Sequence, residues 1–194
     1  MRYAGLKIGW GFTGSYCCLD SFIDSAKKVK AEGANIHIFA SPTLFKTDTR
    51  FGKGDKWRSK LLEISEKDLI TDIVEAEPYG PKIPLDLMII APLTGTSLAK
   101  LALGISDTPV LLAAKATIRN GKPILLAIAT NDGLGTNAEN IGKLLRTKNI
   151  FFVPFGQDDP IKKERSLIAI SSKIPEAIDA ALNAKQVQPI LVMH

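Results

Sequence analysis

Side chains able to do chemistry collect where the apolar runs of this sequence give out. "GFTGSY" (residues 11–16) sets Thr13 and Ser15 between and after Gly11 and Gly14, and "APLTGTS" (91–97) repeats the idea with Thr94, Gly95, Thr96 and Ser97. A glycine-lined turn that feeds a helix aims several backbone N–H groups and the positive end of a helix dipole at one spot. Added hydroxyls suit an anion with many acceptor oxygens, above all a terminal phosphate. Gly9, Gly11 and Gly14 also spell the dinucleotide fingerprint, which asks for Asp or Glu at the end of the next strand to hold a ribose. Ser41 and Pro42 stand there instead. A mononucleotide phosphate therefore suits the turn better, with a ligand-free structural turn as the plain alternative. The second cluster, taken alone, is equally a good helix N-cap.

Three further places carry polar groups of the right kind. "ATNDGLGTN" (129–137) offers Asn131 and Asp132 to a substrate, although Asn-Asp-Gly is also a routine turn. Asp158 in "GQDDP" (156–160) has the same two readings. Arg50, Lys53 and Lys56 lie in a basic connection and Lys115 near the end of an apolar helix, where each either meets an anion or is simply solvated. With two histidines and two adjacent cysteines, Cys17 and Cys18, there is no material for a zinc cluster or a Ser-His-Asp triad. Neighbouring cysteines point apart and make a poor disulfide, so no metal is expected and a reducing cytoplasm fits. The net charge of +5 comes without a Lys/Arg block, which argues against nucleic acid. No run reaches the roughly 18 apolar residues of a membrane span, and the first residues lack a signal peptide's pattern.

The elements that must position these groups alternate along the chain. Strands are expected at 7–12, 35–41, 87–92, 123–130 and 149–156; helices follow the first turn to about Glu32 and recur at 97–105, 109–119, 137–147 and 175–184. Ser65 and Asp68 read as a capping box opening a helix through Ala76, 42–60 as a long connection, and the proline-rich 77–86 as loop. Alternation of this kind predicts an α/β fold, a three-layer doubly wound parallel sheet, over a single domain spanning 1–194. Ligands bind such sheets at the carboxyl ends of the strands, where the polar clusters fall.

At these residues a family resemblance enters. "GFTGS", Ser41 and "APLTGTSLAKLALGISD" (91–107) are similar to the Rossmann-like flavoprotein family of cysteine decarboxylases and flavin prenyltransferases. A narrower resemblance, to the branch formed by the B subunits of dipicolinate synthases, covers "TRFG" (49–52), "EAEPYGPKIPLD" (75–86), "AAKATIRN" (113–120), "TKNIFFVPFGQDDP" (147–160) and "QPILV" (188–192). The wider resemblance implies FMN, with Gly11, Thr13, Gly14 and Ser15 cradling its phosphate, Ser41 beside the ribityl chain, and Thr94, Gly95, Thr96 and Ser97 on the other wall. The narrower one implies an oxidoreductase subunit of sporulating cells, acting in the mother-cell cytoplasm. Its partner would be the dipicolinate synthase A subunit, which binds NADP or NAD; its substrate would be a small dicarboxylate, and a homo-oligomer is expected.

Departures from the family bear on activity. Residues 41–91 hold no histidine, "ATNDGLGTN" replaces the decarboxylase P-x-M-N-x-x-M clamp, Thr130 and Asn131 stand where prenyltransferases place Arg-Glu, and Leu112 stands for a further arginine. Decarboxylation and prenyl transfer are thus the alternatives, with a non-catalytic scaffold a third. For dihydrodipicolinate oxidation, Arg50 and then Lys115 are the candidate carboxylate partners, and Asp132 and Asp158 are candidate bases from position alone.

Overall fold

The computed structural model describes residues 1–46, 48–65 and 68–193. β1 (Lys7–Phe12), β2 (Asn35–Ala40), β3 (Leu87–Leu93) and β4 (Ile124–Thr130) form its centre in the order β2-β1-β3-β4, all parallel. Every residue of β3 is buried, as is all of β4 except Thr130. A strand covered on both faces must be apolar throughout, which is why "LMIIAPL" and "ILLAIA" read as unbroken runs. α1 (Leu19–Ala31) returns from β1 to β2; α5 (Gly95–Ala102) and α6 (Pro109–Arg119) return from β3 to β4; α7 (Asn137–Leu145) leads from β4 to β5 (Ile150–Phe152). α6 buries Val110, Ala113, Ala114 and Thr117 against the sheet. α8 (Ile174–Leu182) closes the other side, where Tyr3 donates to the Pro175 carbonyl and Ser25 to that of Ser171.

The expected doubly wound architecture is present, with an antiparallel addition that the sequence did not announce. Pro154 interrupts the strand expected at 149–156, leaving β5 and then β6 (Phe155–Asp159), which pairs with β7 (Lys163–Ala169) as a hairpin. β4 divides its open edge between them. Ile124–Leu126 pair with β5 in parallel, whereas Ala129 and Thr130 pair with Ile168 and Leu167 of β7 in the opposite sense. The seven-stranded sheet is therefore mixed, and the hairpin stands beside the carboxyl end of β4.

Other expectations shift locally. The connection at 42–60 folds into two helices, α2 (Thr43–Lys46) and α3 (Gly54–Leu62), the second anchored by the buried Trp57 and Leu61. The helix expected from Ser65 shrinks to α4 (Ile73–Ala76). Its capping box is Asp72 with Glu75, because Asp72 accepts the Val74 N–H at 2.8 Å while Glu75 reaches back to the Asp72 N–H. Glu66 and Lys67, inside the expected box, lie outside the described residues. Cys17 and Cys18 sit in a 3₁₀ turn, Tyr16–Cys18, before α1 begins. A second such turn, Glu77–Tyr79, opens the proline-rich loop. Among the described residues no helix is long and apolar enough to cross a membrane.

Candidate functional site

Three strand ends are laced together by two hydroxyls. Thr13, just past β1, donates to the Pro92 carbonyl of β3 at 2.8 Å and accepts the Thr94 N–H at 2.9 Å. Ser15 donates to the Ala129 carbonyl of β4 at 2.7 Å. Buried backbone groups at strand ends need partners, and these side chains supply them. The lacing holds open a cleft of about 600 Å³, lined by Ser15, the Thr94–Thr96 turn, Lys100 and Leu103 on one side and by Ala129–Asp132 with Asn137 on the other.

Thr94 is the N-cap of α5, and its hydroxyl accepts the Ser97 N–H at 3.3 Å. The first N–H groups of a helix have no carbonyl of their own. With Ser97 capped by Thr94 and Thr94 held by Thr13, the N–H groups of Gly95 and Thr96 are left without a partner among the described residues. Gly95 is forced by crowding. A Cβ there would lie 2.5 Å from Thr130 Oγ1, 2.8 Å from Asn137 Nδ2 and 2.9 Å from Asp132 Oδ1.

Those three polar groups form one cluster. Asp132 Oδ1 accepts from Thr130 Oγ1 at 2.7 Å and from Asn137 Nδ2 at 2.8 Å, and its Oδ2 lies 3.0 Å from the same amide. The Thr130 hydroxyl, then the Asn137 amide, hold the Asp132 carboxyl below its ordinary range. These contacts favour the ionised form, which weighs against the expected role of Asp132 as a base. Among the described residues it is the one carboxylate in the cleft lining, and its partners there are neutral donors.

The other expected residues are distributed unevenly. Ser15, Thr94, Gly95 and Thr96 line the cleft. Gly14 lies beside it, in an adjoining pocket of about 300 Å³ that also holds Arg50, Cys17, Asp158 and Lys163. Gly11 does not face this space. A Cβ on it would meet Val110 Cγ1 at 2.6 Å, so Gly11, like Gly9 beneath Leu85 and Met88, is a packing glycine that lets neighbours close on β1. Thr13 is buried, its hydroxyl engaged by Pro92 and Thr94 rather than offered to a ligand. Ser97 stands behind Thr94, whose hydroxyl donates to it at 3.0 Å, and Ser41 pairs with Thr43 at 2.8 Å; neither lines the cleft. Lys115 is exposed on α6, outside both linings. The sequence reading missed Lys100, Asn137 and Lys163. Asn137 closes the quoted "ATNDGLGTN", and its spacing from Asp132 was the signal available.

Comparisons with known proteins agree on the family. The Flavoprotein family model matches residues 2–181. A protein of Bacillus subtilis (strain 168), named as the B subunit of dipicolinate synthase, is 49% identical over 188 residues, 97% of this chain and 94% of that one. The crystal structure of the B subunit of dipicolinate synthase from Bacillus halodurans C has a TM-score of 0.92 to this chain at 46% identity, covering 100% of this chain and 99% of that one. The FMN-dependent cysteine decarboxylase SpaF shares the fold, with a TM-score of 0.64 at 17% identity over 93% of this chain and 98% of that one. The chain belongs to the flavoprotein family, within the group of dipicolinate synthase B subunits.

Proposed function

We propose that this chain is the B subunit of a two-subunit dipicolinate synthase, that the cleft at its strand ends holds the phosphate of FMN, and that its partner, the A subunit, supplies the pyridine nucleotide. The observation that carries the cofactor reading is the donor set of the cleft. The Gly95 and Thr96 N–H groups stand at a helix N-terminus, the Thr96 hydroxyl is beside them, and Lys100 follows one turn later, paired with Asp107 at 2.6 Å. Such a set fits a dianionic phosphate. Ala99, Leu103 and Ala129 add apolar surface for the rest of a mononucleotide, and the volume is within the range of small-molecule sites.

The reaction removes a hydride and a proton from dihydrodipicolinate, and the ring becomes aromatic. A bound flavin supplies a two-electron acceptor. This chain's residues bind and orient. The Thr13 and Ser15 lacing fixes the cleft walls before any ligand arrives, which lowers the cost of ordering them on binding. Asp132 holds Thr130 and Asn137 in place against the Gly95 turn. The residues that serve decarboxylation or prenyl transfer in the wider family are replaced here, by Thr130 and Asn131 at the cleft wall and Leu112 on α6.

The test is reconstitution of the chain with the A subunit of a dipicolinate synthase, followed by measurement of pyridine-nucleotide-dependent dipicolinate formation. Product that requires both chains supports the reading. Full turnover by the partner alone contradicts it and favours a scaffold.

A further inference from the structure

The pocket beside the cleft is built by the turn after β1, the Arg50–Phe51 turn, the end of β4 and the β6–β7 hairpin. Its charged groups are Arg50, Lys163 and Asp158. Arg50 has no carboxylate partner among the described residues, and its guanidinium lies 4.9 Å from the Phe51 ring centre, stacked and otherwise unspent. A guanidinium presents a planar fork that matches one carboxylate in two parallel bonds. From the hairpin comes Lys163, held at the wall by Asp158 at 2.5 Å, with Ser166 Oγ 3.5 Å from the same Asp158 oxygen. An ammonium has three donors, so this contact leaves others for a ligand. Two cations against one carboxylate give the pocket a net positive charge. Ile168 and the Phe51 ring add apolar surface to the lining.

We propose that this pocket seats the dicarboxylate substrate, with Arg50 and Lys163 as the cations for its two carboxylates and Ile168 and Phe51 beside its ring. The proposal rests on the function proposed above and adds the substrate's place within it. A volume of about 300 Å³ matches a single six-membered ring with two carboxylates and not a nucleotide. Ser15, Ala129, Thr130 and Asn131 belong to both linings, so a ligand here opens directly onto the cleft. Lys163 takes the part that the sequence suggested for Lys115. The antiparallel hairpin, absent from a plain doubly wound sheet, is what brings it there.

The experiment uses the reconstituted pair, with dihydrodipicolinate as substrate and dipicolinate or picolinate, which lacks one carboxylate, as inhibitors. Loss of one charge-assisted contact weakens binding by about tenfold or more. Wild type is therefore expected to prefer dipicolinate to picolinate by about that factor. Arg50→Gln and Lys163→Gln should each raise KM by a similar factor, change kcat much less and erase most of that preference. Lys163→Arg should restore it, and Lys115→Gln should behave as wild type. Both cations lie at the surface, so these variants keep the buried core, and direct titration of dipicolinate into the chain gives a second readout. An active pair whose Arg50 and Lys163 variants keep wild-type KM and inhibitor preference overturns the subsite while leaving the function standing. A wild-type pair that makes no dipicolinate overturns the functional reading and this proposal with it.

Discussion

Replacing Thr13 with Val separates a structural hydroxyl from a ligand-binding one. The two side chains have nearly the same shape, so no cavity opens, and the change removes only the hydroxyl. That hydroxyl makes two bonds, to the Pro92 carbonyl at 2.8 Å and from the Thr94 N–H at 2.9 Å, in a residue 2% exposed. Each buried group left without a partner costs about 1–3 kcal/mol. Thr94 is half-buried and lines the cleft, so its share falls at the low end. The sum is about 2–4 kcal/mol, a large part of the roughly 5–15 kcal/mol that holds an ordinary domain together. In a chain of this size that lowers Tm by about 5–15 °C. Thr13→Ser keeps the hydroxyl and loses one methyl, about 1 kcal/mol. Urea unfolding followed by circular dichroism on both variants gives the comparison. Valine as stable as wild type, with a loss confined to ligand binding, would refute the lacing argument.

Three other outcomes follow from the same geometry. Gly11→Ala drives a Cβ to 2.6 Å from the stiff, buried Val110 and should cost about 1–3 kcal/mol in unfolding experiments while ligand affinity holds; lost affinity at unchanged stability would restore Gly11 to the phosphate site. Asp132 has a folded-state pKa depressed by Thr130 and Asn137, so its stabilisation is complete above the unfolded value near about pH 4 and drains away as pH falls through the lower folded value. Asp132→Asn should flatten that acid limb of the stability curve, and an unchanged limb would contradict the cluster. Cys17 is exposed in the substrate pocket, whereas burial pushes the neighbouring Cys18 thiol up, so iodoacetamide should modify Cys17 first, as read by mass spectrometry, and dipicolinate should slow it.

The central strands were legible because burial on both faces leaves no room for polar residues: β1 was placed from Lys7 to Phe12, and β3 and β4 to within a residue. The hairpin was not. Lys163–Arg165 are exposed and charged, so only Ser166–Ala169 resemble a strand, and nothing local says that these residues pair with the end of β4. The same gap hid Lys163. α3 was hidden because its packing rests on Trp57 and Leu61 alone within a polar, basic stretch. The glycines show the limit of motif reading. Gly9, Gly11 and Gly14 fit a phosphate fingerprint, yet the first two are small because Leu85, Met88 and Val110 press on them, residues remote in sequence. Ser15 and Thr94–Thr96, by contrast, were readable because a polar cluster at a strand exit has few places to go except the cleft.

The claim that a terminal phosphate is gripped at the Gly95–Thr96 turn is tested most directly by titrating the purified chain with FMN and with riboflavin, following flavin fluorescence. FMN should bind, inorganic phosphate should compete, and riboflavin, identical except for the phosphate, should bind at least about tenfold more weakly. Thr96→Pro removes one N–H from the first turn of α5, where proline is tolerated, and should narrow that difference. Equal affinity for the two flavins, or no affinity for either, contradicts the account.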